Sequence, residues 1–490
     1  MADLQDKDLL SIQQARTMVL AARQAQLQWA KASQEQVDRV CAAMAEAAFG
    51  AAQRLGRMAS EETGYGVPEH KKLKNEFGSM HVWNSIKDVK TVGVIRHDPR
   101  TKVYEIAWPM GIVAALTPST NPTSTVMNKV LMSVKARNAI IVAPHPSAVN
   151  SCVATAQLMS DAAVAAGAPE GLIHCMSQIS LAGTDELLSH RYTAVILATG
   201  GGPMVKAAHS KGKPAYGVGP GNVPAYVDRS ADLEKAARYI VASKAFDHSV
   251  ICATEQAVIA DRPIADRLAQ LMEGEGAYFM DEAQTQKIRE LLFHPDGSIN
   301  VATVGKSAQV LAGMAGIQVP SHARILVARL RTIGRDEPLS REKLTTVLGF
   351  YEADGWEAGC DMCIEMIQFG GRGHSLMIHA TNDDVIMAFG LEKPVFRIGV
   401  NTMGTLGAIG LTTGVMPSMT LGSGGIGGAI TGDNITVYHL FNVKRLAYEV
   451  APPPDAAMHP GTTPAGPLFA PQADELEQIV DEVVQQILGR

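Results

Sequence analysis

The spacing of apolar and polar residues changes from helical to extended along the chain. Residues 1 to about 62 are rich in alanine, and their apolar residues recur three or four positions apart, which predicts helices that break near Ser33. From 88 to 116 the pattern is extended and predicts a long β-hairpin, assigned to 88–110, that leads into a buried strand. The predicted apolar helix face comprises Val37, Val40, Cys41, Met44 and Ala48.

Beyond the hairpin, short apolar strands alternate with helices in two successive cycles. Such alternation predicts parallel sheets with helices on both faces, an α/β fold. The predicted strands are 112–116, 139–143, 171–178, 193–197 and 222–227, then 255–260, 323–328, 347–351 and 375–379. The predicted helices of the second cycle are 231–244, 262–273, 283–293 and 357–368.

The composition changes after Val450. Residues 451–471 hold seven of the 25 prolines, which predicts an extended linker. Residues 474–488 predict an amphipathic helix, because apolar residues return at helical spacing opposite an acidic face. This helix either folds back on the protein or a neighbouring subunit, or docks in the groove of a partner, and the long spacer favours docking. Its acidic face argues against binding to an anionic membrane.

Composition and charge restrict the class of protein. Of 490 residues 46% are hydrophobic and 19% charged, and the net charge is −6. These values are typical of a large globular protein, exclude a disordered chain, and do not suggest nucleic-acid binding. No segment approaches the ~20 consecutive apolar residues of a membrane span. We expect neither a nucleic acid nor a membrane as partner.

The cysteines indicate a reducing environment. Six cysteines are too few for a disulfide scaffold, and the first residues, MADLQDKDLL, do not resemble a secretory signal, so we expect a cytoplasmic protein. Cys360 and Cys363 have the spacing of a redox or zinc motif, but no second pair accompanies them. We interpret them as helical cysteines one turn apart and expect no metal site.

Four segments carry residues that a core does not require. LTPSTNPTS (116–124) puts polar side chains at the carboxyl edge of a parallel sheet, where α/β proteins bind ligands, although simple turn chemistry explains its asparagine equally well. Glycines 200–202 precede a probable helix start, which suits phosphate, although a plain strand–helix turn remains possible; glycines also recur within 217–221. AFDHSVICATEQ places Cys252 in a short turn before a strand, where an isolated cysteine is most often inert.

Taken together and in order, these segments resemble the CoA-acylating branch of the aldehyde dehydrogenase superfamily. The resemblance runs from about residue 5 to 450. It implies a Rossmann-type cofactor domain, an α/β catalytic domain and an oligomerisation hairpin. Its motifs are TPSTNPTS, RNAIIVAPHPSA, ATGGGPMVKAA, GVGPGNVPAYVD, FDHSVICATEQAVI, REKLTTVLGFY, GRGHSLMIH and HLFNVKRLA.

The resemblance also implies roles for matching residues. Cys252 would be the nucleophile and Asn121 the oxyanion-hole side chain. His374 would deprotonate CoA, unless it is a structural histidine at a strand edge. Glu342 would hold the nicotinamide ribose, unless it is a solvated glutamate at a helix start. The implied cofactor-binding residues are Thr117, Pro118, Ser119, His145, Pro146, Gly200, Gly201, Gly202, Val218, Gly219, Glu342 and Leu344.

Two departures from the hydrolytic branch favour acyl transfer to CoA. The position of the hydrolytic general base, a glutamate, is Val218 here, so a thioester on Cys252 would persist for another nucleophile than water. His145 replaces the ribose-binding lysine, as in the acylating branch. Within that branch, His248 departs from the usual asparagine.

The implied reaction oxidises a short aldehyde to an acyl-CoA with NAD, or NADP, and with CoA as co-substrate. Small uncharged residues near the cysteine, at Ser249, Ile251 and Thr254, favour a short aldehyde. The segment 474–488 resembles the peptides that dock such enzymes on the shell protein of a bacterial microcompartment. A homodimer or homotetramer is expected. The alternatives are a hydrolytic dehydrogenase that releases a free acid, and a non-catalytic scaffold.

The same resemblance divides the chain into parts. The expected division is 1–225 as NAD-binding domain, 226–415 as catalytic domain, 416–450 as a return to the cofactor domain and subunit contact, 451–471 as linker and 472–490 as docking helix.

Overall fold

Helices and strands alternate in the computed structural model, which describes residues 6–458 and residue 478. The helices are α1 (Lys7–Trp29), α2 (Gln34–Gly50), α3 (Ala52–Thr63), α4 (Pro68–Glu76), α5 (Val82–Ile86), α6 (Pro122–Lys135), α7 (Val149–Ala165), α8 (Leu181–Ser189), α9 (Gly202–His209), α10 (Leu233–Ala245), α11 (Ala265–Gly274), α12 (Glu282–Leu292), α13 (Ala308–Met314), α14 (Gly355–Phe369), α15 (Asp383–Glu392), α16 (Gly404–Gly407) and α17 (Asp455–Met458). The strands are β1 (Val94–Asp98), β2 (Val103–Pro109), β3 (Ile112–Thr117), β4 (Ala139–Pro144), β5 (Ile173–Cys175), β6 (Thr193–Thr199), β7 (Ala215–Val218), β8 (Val223–Val227), β9 (Glu255–Asp261), β10 (Ala277–Phe279), β11 (Ile325–Arg329), β12 (Val347–Ala353), β13 (Leu376–His379), β14 (Ile398–Val400) and β15 (Phe441–Ala447).

Strands β3 to β7 form a five-stranded parallel sheet in the order β5-β4-β3-β6-β7. The predicted strand 222–227, grouped with the first cycle, is β8 and belongs to the second sheet. The central strands β3 and β4 are buried along their whole length, which explains why they read as continuous apolar runs rather than as alternating patterns. Sequence analysis anticipated four of the five strands. It missed β7, whose four residues are too short for a recognisable period.

The second cycle forms a seven-stranded parallel sheet in the order β10-β11-β12-β9-β8-β13-β14. One apolar cluster joins this sheet to α12, α13 and α14, and another joins it to α10 and α11. The sheet therefore has helices on both faces, and the predicted α/β architecture is confirmed. The three-residue strands β10 and β14 were not predicted.

The predicted hairpin is confirmed as an antiparallel pair of β1 and β2. These strands form a three-stranded sheet with β15 in the order β1-β2-β15. A role of this hairpin in joining subunits stays a prediction.

The N-terminal helices have the predicted break and buried face. Ser33 is the N-cap of α2 and its side chain accepts a hydrogen bond from the backbone N–H of Gln36. All five residues of the predicted apolar face are buried.

Cys360 and Cys363 are buried free thiols on α14, which agrees with their interpretation as helical cysteines.

The predicted division into domains and the predicted tail are not decided by the described residues. The chain leaves the five-stranded sheet at Val218 and enters the seven-stranded sheet at Val223, but the predicted division into domains stays a prediction. Within residues 6–458 and at residue 478, no helix is long and apolar enough to cross a membrane, and no acidic, histidine or cysteine cluster is suited to a metal ion. The predicted linker beyond Met458 and the predicted helix 474–488, apart from Gln478, lie outside the described residues.

Candidate active site

A cleft opens at the carboxyl ends of β3, β4, β6 and β7, opposite the turn that precedes β9. This is the edge of a parallel sheet at which α/β proteins bind ligands. The cleft is lined by Pro118, Ser119, Thr120, Asn121, Thr125, His145, Thr199, Gly200, Gly201, Met204, Val218, Gly219, Pro220, Val250, Ile251, Cys252, Glu342, Leu344, Ile409, Met419 and Leu421.

Most of the predicted site residues meet in this cleft, but four do not line it. Thr117, the last residue of β3, is buried. Pro146 and Gly202 are exposed beyond the cleft wall, because the chain turns outward there into a short helix and into α9 respectively. His374 is buried behind the wall. Sequence spacing located these segments correctly but did not give the direction in which each residue points.

Cys252 is positioned by a turn with unusual backbone geometry. Asp247, His248 and Ser249 all have positive φ values, of 47°, 51° and 67°. Residues other than glycine rarely adopt this conformation, and each instance costs about 1–3 kcal/mol. Such a turn persists only where its surroundings fix it. Here the side chain of His248 contributes through a contact of 3.0 Å between Nδ1 and the carbonyl oxygen of Gly305.

The main anchor of the turn is the buried carboxylate of Asp247. It accepts hydrogen bonds from the backbone N–H of Val67, at 2.7 Å, and from Lys71 Nζ, at 3.1 Å. Lys74 pairs with the same carboxylate. Burial acts to raise the pKa of Asp247, but the two ammonium groups outweigh it and hold the pKa below its usual range. We call Lys71, Lys74 and Asp247 the buried charge cluster.

The side chain of Asn121 connects the cleft to this cluster. Asn121 occupies the N-cap position of α6 but makes no side-chain capping bond, so turn chemistry does not account for its side chain. Its Nδ2 donates to the carbonyl oxygen of Val250 at 3.0 Å, and its Oδ1 accepts a hydrogen bond from Lys74. The amide therefore spans the space between α4 and the turn that carries Cys252.

The environment of Cys252 favours the neutral thiol. Burial, and then the carboxylate of Glu342, raise the pKa of Cys252 to about 12, while the guanidinium of Arg397 acts in the opposite direction. Arg397 is itself buried and donates to the carbonyl oxygen of His374 and to Asn434 Oδ1, both at 2.7 Å. At neutral pH the cysteine is thus a thiol that needs activation before it attacks.

Glu342 is a cleft residue and not a solvated glutamate at a helix start. It follows the short 3₁₀ turn Pro338–Ser340, and its carboxylate accepts a hydrogen bond of 3.0 Å from the backbone N–H of Gly221. Burial raises its pKa to about 7. Among the described residues that line the cleft, it carries the only carboxylate, and Val218 faces the same space.

The His374 ring and the carbonyl oxygen of Cys252 both lie close to Gly221. A Cβ atom on Gly221 would lie 2.2 Å from the carbonyl oxygen of Cys252 and 3.1 Å from the His374 ring, so a side chain has no room there. Burial, followed by the charge of Arg397, lowers the pKa of His374 to about 3, which keeps the ring neutral. Its Nε2 makes no hydrogen bond to any of the described residues.

Two of the three residues that were expected to line the substrate pocket lie outside the cleft. Ile251 lines the cleft, whereas Ser249 and Thr254 are buried outside it. The expectation based on Ser249 and Thr254 is therefore wrong, because the left-handed turn buries one side chain and the start of β9 buries the other. The apolar lining near the cysteine comes instead from Ile251, Ile409, Met419 and Leu421.

The opposite side of the cleft fits a dinucleotide. Gly200 and Gly201 lie at the start of α9, whose N-cap residue, Gly201, has no side chain to occupy the free N–H groups of the first turn. Such a helix start favours a phosphate group. Apart from its chain neighbours, no described atom lies within 4 Å of the position that a Cβ atom on Gly219 would take. A ligand can therefore approach the backbone closely there.

Sequence reasoning missed the residues that support this site. Helix α4 supplies two members of the buried charge cluster, Lys71 and Lys74, yet its sequence PEHKKLKNE has the high charge of a solvent-exposed helix. No local pattern distinguishes these lysines from exposed ones, because their partner Asp247 is distant in the chain.

Comparisons with known proteins agree with this geometry. Residues 7–276 match the family model described as the aldehyde dehydrogenase family. The succinate-semialdehyde dehydrogenase (acetylating) of Clostridium kluyveri is 37% identical over 88% of this chain and 95% of its own. The chain spans about half the length of the aldehyde-alcohol dehydrogenases that it also matches.

Solved structures give the same picture. An acetylating aldehyde dehydrogenase from Geobacillus thermoglucosidasius has 49% identity and a TM-score of 0.91, covering 92% of this chain and 100% of its own. A propionaldehyde dehydrogenase from the fucose utilisation bacterial microcompartment of Clostridium phytofermentans has 28% identity and a TM-score of 0.81, covering 89% and 97%.

Proposed function

The chain belongs to the aldehyde dehydrogenase family, and we propose that it oxidises a short aldehyde to an acyl-CoA with NAD and CoA, through a thioester on Cys252. The observation that carries this proposal is the meeting of Cys252 and the Asn121 amide in one cleft with Val218, where the hydrolytic branch has its general base. Similarity to proteins named as acetylating dehydrogenases supports the same reaction.

In the first half-reaction Cys252 releases its thiol proton to solvent, and the thiolate attacks the aldehyde carbonyl. The oxyanion that forms is stabilised by Asn121 Nδ2 and by the backbone N–H of Cys252, at about 3 kcal/mol for each donor. A bound nicotinamide supplies the hydride acceptor and, being cationic, favours the thiolate. Loss of hydride from the thiohemiacetal leaves the thioester on Cys252.

In the second half-reaction the thiol of CoA attacks the thioester and releases acyl-CoA. With Val218 at the position of the base, water remains a weak nucleophile, whereas a partly ionised thiol needs less activation. The proposed role of His374 in accepting the proton of CoA requires its ring to reach the cleft, because here it lies outside the lining residues and its pKa is lowered to about 3, which makes it a weak base.

The charge of the cleft supports an uncharged substrate. No lysine or arginine lines it among the described residues. A carboxylate or sulfonate on the aldehyde would lack a cationic partner there, and a short uncharged aldehyde fits best.

The test is whether NADH formation depends on CoA. Purified protein receives acetaldehyde or propionaldehyde with NAD, with and without CoA, and the products are identified by mass spectrometry. Continuous NADH formation only with CoA, together with acyl-CoA as product, is expected. Equal NADH formation without CoA, with free acid as product, would contradict the proposal.

A hydrolytic reaction is the second candidate, because Glu342 offers a carboxylate whose pKa is raised to about 7. A group with this pKa is suited to activate water. The CoA-dependence assay separates the two reactions. Aldehydes with a carboxylate or a sulfonate, compared by kcat/KM, extend the assay to substrate class.

We further propose that residues 474–488 dock the protein on a microcompartment shell protein. The proline-rich composition of 451–471 supports this, as does similarity to an enzyme from a bacterial microcompartment. A fluorescent protein fused to residues 452–490 is expected to concentrate on co-expressed shells, and diffuse fluorescence beside intact shells would argue against docking. A purely scaffolding protein would show this recruitment without aldehyde oxidation.

The hairpin 88–110 is the proposed subunit contact, in a dimer or tetramer. Multi-angle light scattering of the purified protein is expected to give a mass two or four times that of the chain. A monomer would contradict it.

A further inference from the structure

Helix α4 places two fully buried lysines one turn apart on the side that faces the active site. Lys71 and Lys74 both pair with the carboxylate of Asp247. They differ in their second contact. Lys71 Nζ donates to the backbone carbonyl oxygen of Thr120 at 3.1 Å, whereas Lys74 Nζ donates to the side-chain Oδ1 of Asn121.

Two of the three contacts of the Asn121 amide fix its orientation, because the third joins Nδ2 to the hydroxyl of Thr120, which can donate or accept. An ammonium group has only donors, so the atom facing Lys74 must be the amide oxygen. The carbonyl oxygen of Val250 is only an acceptor, so the atom facing the cysteine turn must be the amide nitrogen. An inverted amide would place two donors together at one end and two acceptors together at the other.

The orientation matters because only one end of the amide can stabilise an oxyanion. With Nδ2 toward the cysteine turn, the amide presents its N–H groups on the side where the negative charge would form. In this structure they donate to the Val250 carbonyl oxygen and to Thr120 Oγ1, so one of them must turn to the oxyanion when it forms. With Oδ1 in that place it would repel the charge. The ammonium group of Lys74, bonded to Oδ1, also polarises the amide and strengthens its N–H donors.

We infer that Lys74 is a positioning residue for the oxyanion hole, holding the Asn121 amide with its donor end toward Cys252. This inference rests on the proposed function, because it requires that an oxyanion forms at Cys252. Burial lowers the pKa of Lys74 to about 7, and the Asp247 carboxylate acts against this shift. The carboxylate therefore helps to keep Lys74 charged beside Asn121. Lys71 pairs with the same carboxylate but makes no hydrogen bond to the Asn121 side chain, so it serves as the control for Lys74.

A double-mutant cycle tests the inference on the burst of NADH formed without CoA, which reports acylation of Cys252. Asn121→Ala is expected to slow the burst by about 10²–10³-fold and Lys74→Met by about 10-fold to 10²-fold, with little change in the KM for aldehyde. Because Lys74 acts through Asn121, the double mutant should be no slower than Asn121→Ala alone. Lys74→Gln, which keeps a donor but loses the charge, should recover part of the rate.

Lys71→Met is the matched control. It also removes one of the two ammonium groups from Asp247 and should lower thermal stability as Lys74→Met does. Its effect on the burst should combine multiplicatively with that of Asn121→Ala. If Lys74→Met does not fold, Lys74→Gln completes the same cycle.

The outcomes separate this inference from the proposed reaction. Multiplicative effects of Lys74→Met and Asn121→Ala would overturn the positioning role and leave the thioester reaction intact. A burst unaffected by Asn121→Ala would remove the oxyanion role itself. A wild-type protein without a burst that depends on aldehyde would instead contradict the proposed function.

Discussion

The two walls of the cleft differ in how tightly their surroundings hold the backbone. The wall that carries Cys252 is fixed by the buried charge cluster, by three left-handed residues, and by Gly221, at which no side chain fits. The opposite wall, around Gly201 and Gly219, is partly exposed and leaves space beside the backbone. A fixed wall suits the reacting atoms, which tolerate little displacement. An open wall suits ligands that enter and leave during each turnover.

Removal of the nucleophile should have the largest effect. Cys252→Ala is expected to abolish aldehyde-dependent NADH formation, because no thiohemiacetal can form. Cys363→Ala, at a buried thiol of α14, is the control and should retain activity. Aldehyde-dependent NADH formation by Cys252→Ala would show that the nucleophile is misassigned.

Disruption of the buried charge cluster, which fixes the wall of Cys252, should cost more stability than loss of an exposed ion pair outside the cleft. Asp247→Asn leaves two buried ammonium groups without a carboxylate and is expected to lower the free energy of unfolding by about 3–5 kcal/mol. Asp185→Asn, which breaks the exposed pair with Lys211, should cost less than about 1 kcal/mol. Denaturant unfolding of both variants measures the difference, and equal costs would contradict the anchoring role of the cluster.

Two glycines of one segment should respond differently to the same substitution. Gly221→Ala forces a Cβ against the Cys252 carbonyl oxygen and is expected to reduce kcat by roughly 10²-fold through displacement of the nucleophile. Gly219→Ala has space for its Cβ, so its effect should be confined to the KM for NAD. Steady-state kinetics of the two variants is the measurement. A Gly219→Ala enzyme with the lower kcat would reverse the assignment of fixed and open walls.

Removal of the Glu342 carboxylate should have the smallest effect, which is read from the pH dependence of Cys252 alkylation. Because its pKa is raised to about 12, the thiolate fraction should rise about tenfold for each pH unit between 7 and 9. Glu342→Gln removes a carboxylate that raises this pKa, so alkylation should become severalfold faster above pH 7, where Glu342 is ionised. Iodoacetamide labelling followed by peptide mass spectrometry gives both rates. A plateau below pH 9 would mean that the thiolate already predominates.

The contrast between the walls also explains what the sequence revealed. The periodicity of apolar residues predicted the parallel α/β fold, and glycine-rich strand ends predicted the open wall, because these are local features. The fixed wall depends on contacts between α4 and the cysteine turn, which are distant in the chain. In PEHKKLKNE the lysines have the pattern of a solvated face, and only tertiary packing buries Lys71 and Lys74. Likewise, the sequence assigned Thr117 and His374 to the site, whereas the structure buries both outside the lining of the cleft.

The most direct test of the account is the covalent state of Cys252 during the reaction. Protein mixed with propionaldehyde and NAD without CoA, then quenched in acid and digested, is expected to carry a propionyl group on the Cys252 peptide. Addition of CoA before the quench should remove that group and yield propionyl-CoA in equal amount. An unmodified Cys252 peptide together with NADH, or a propionyl group that leaves as free acid at the same rate without CoA, would contradict the account.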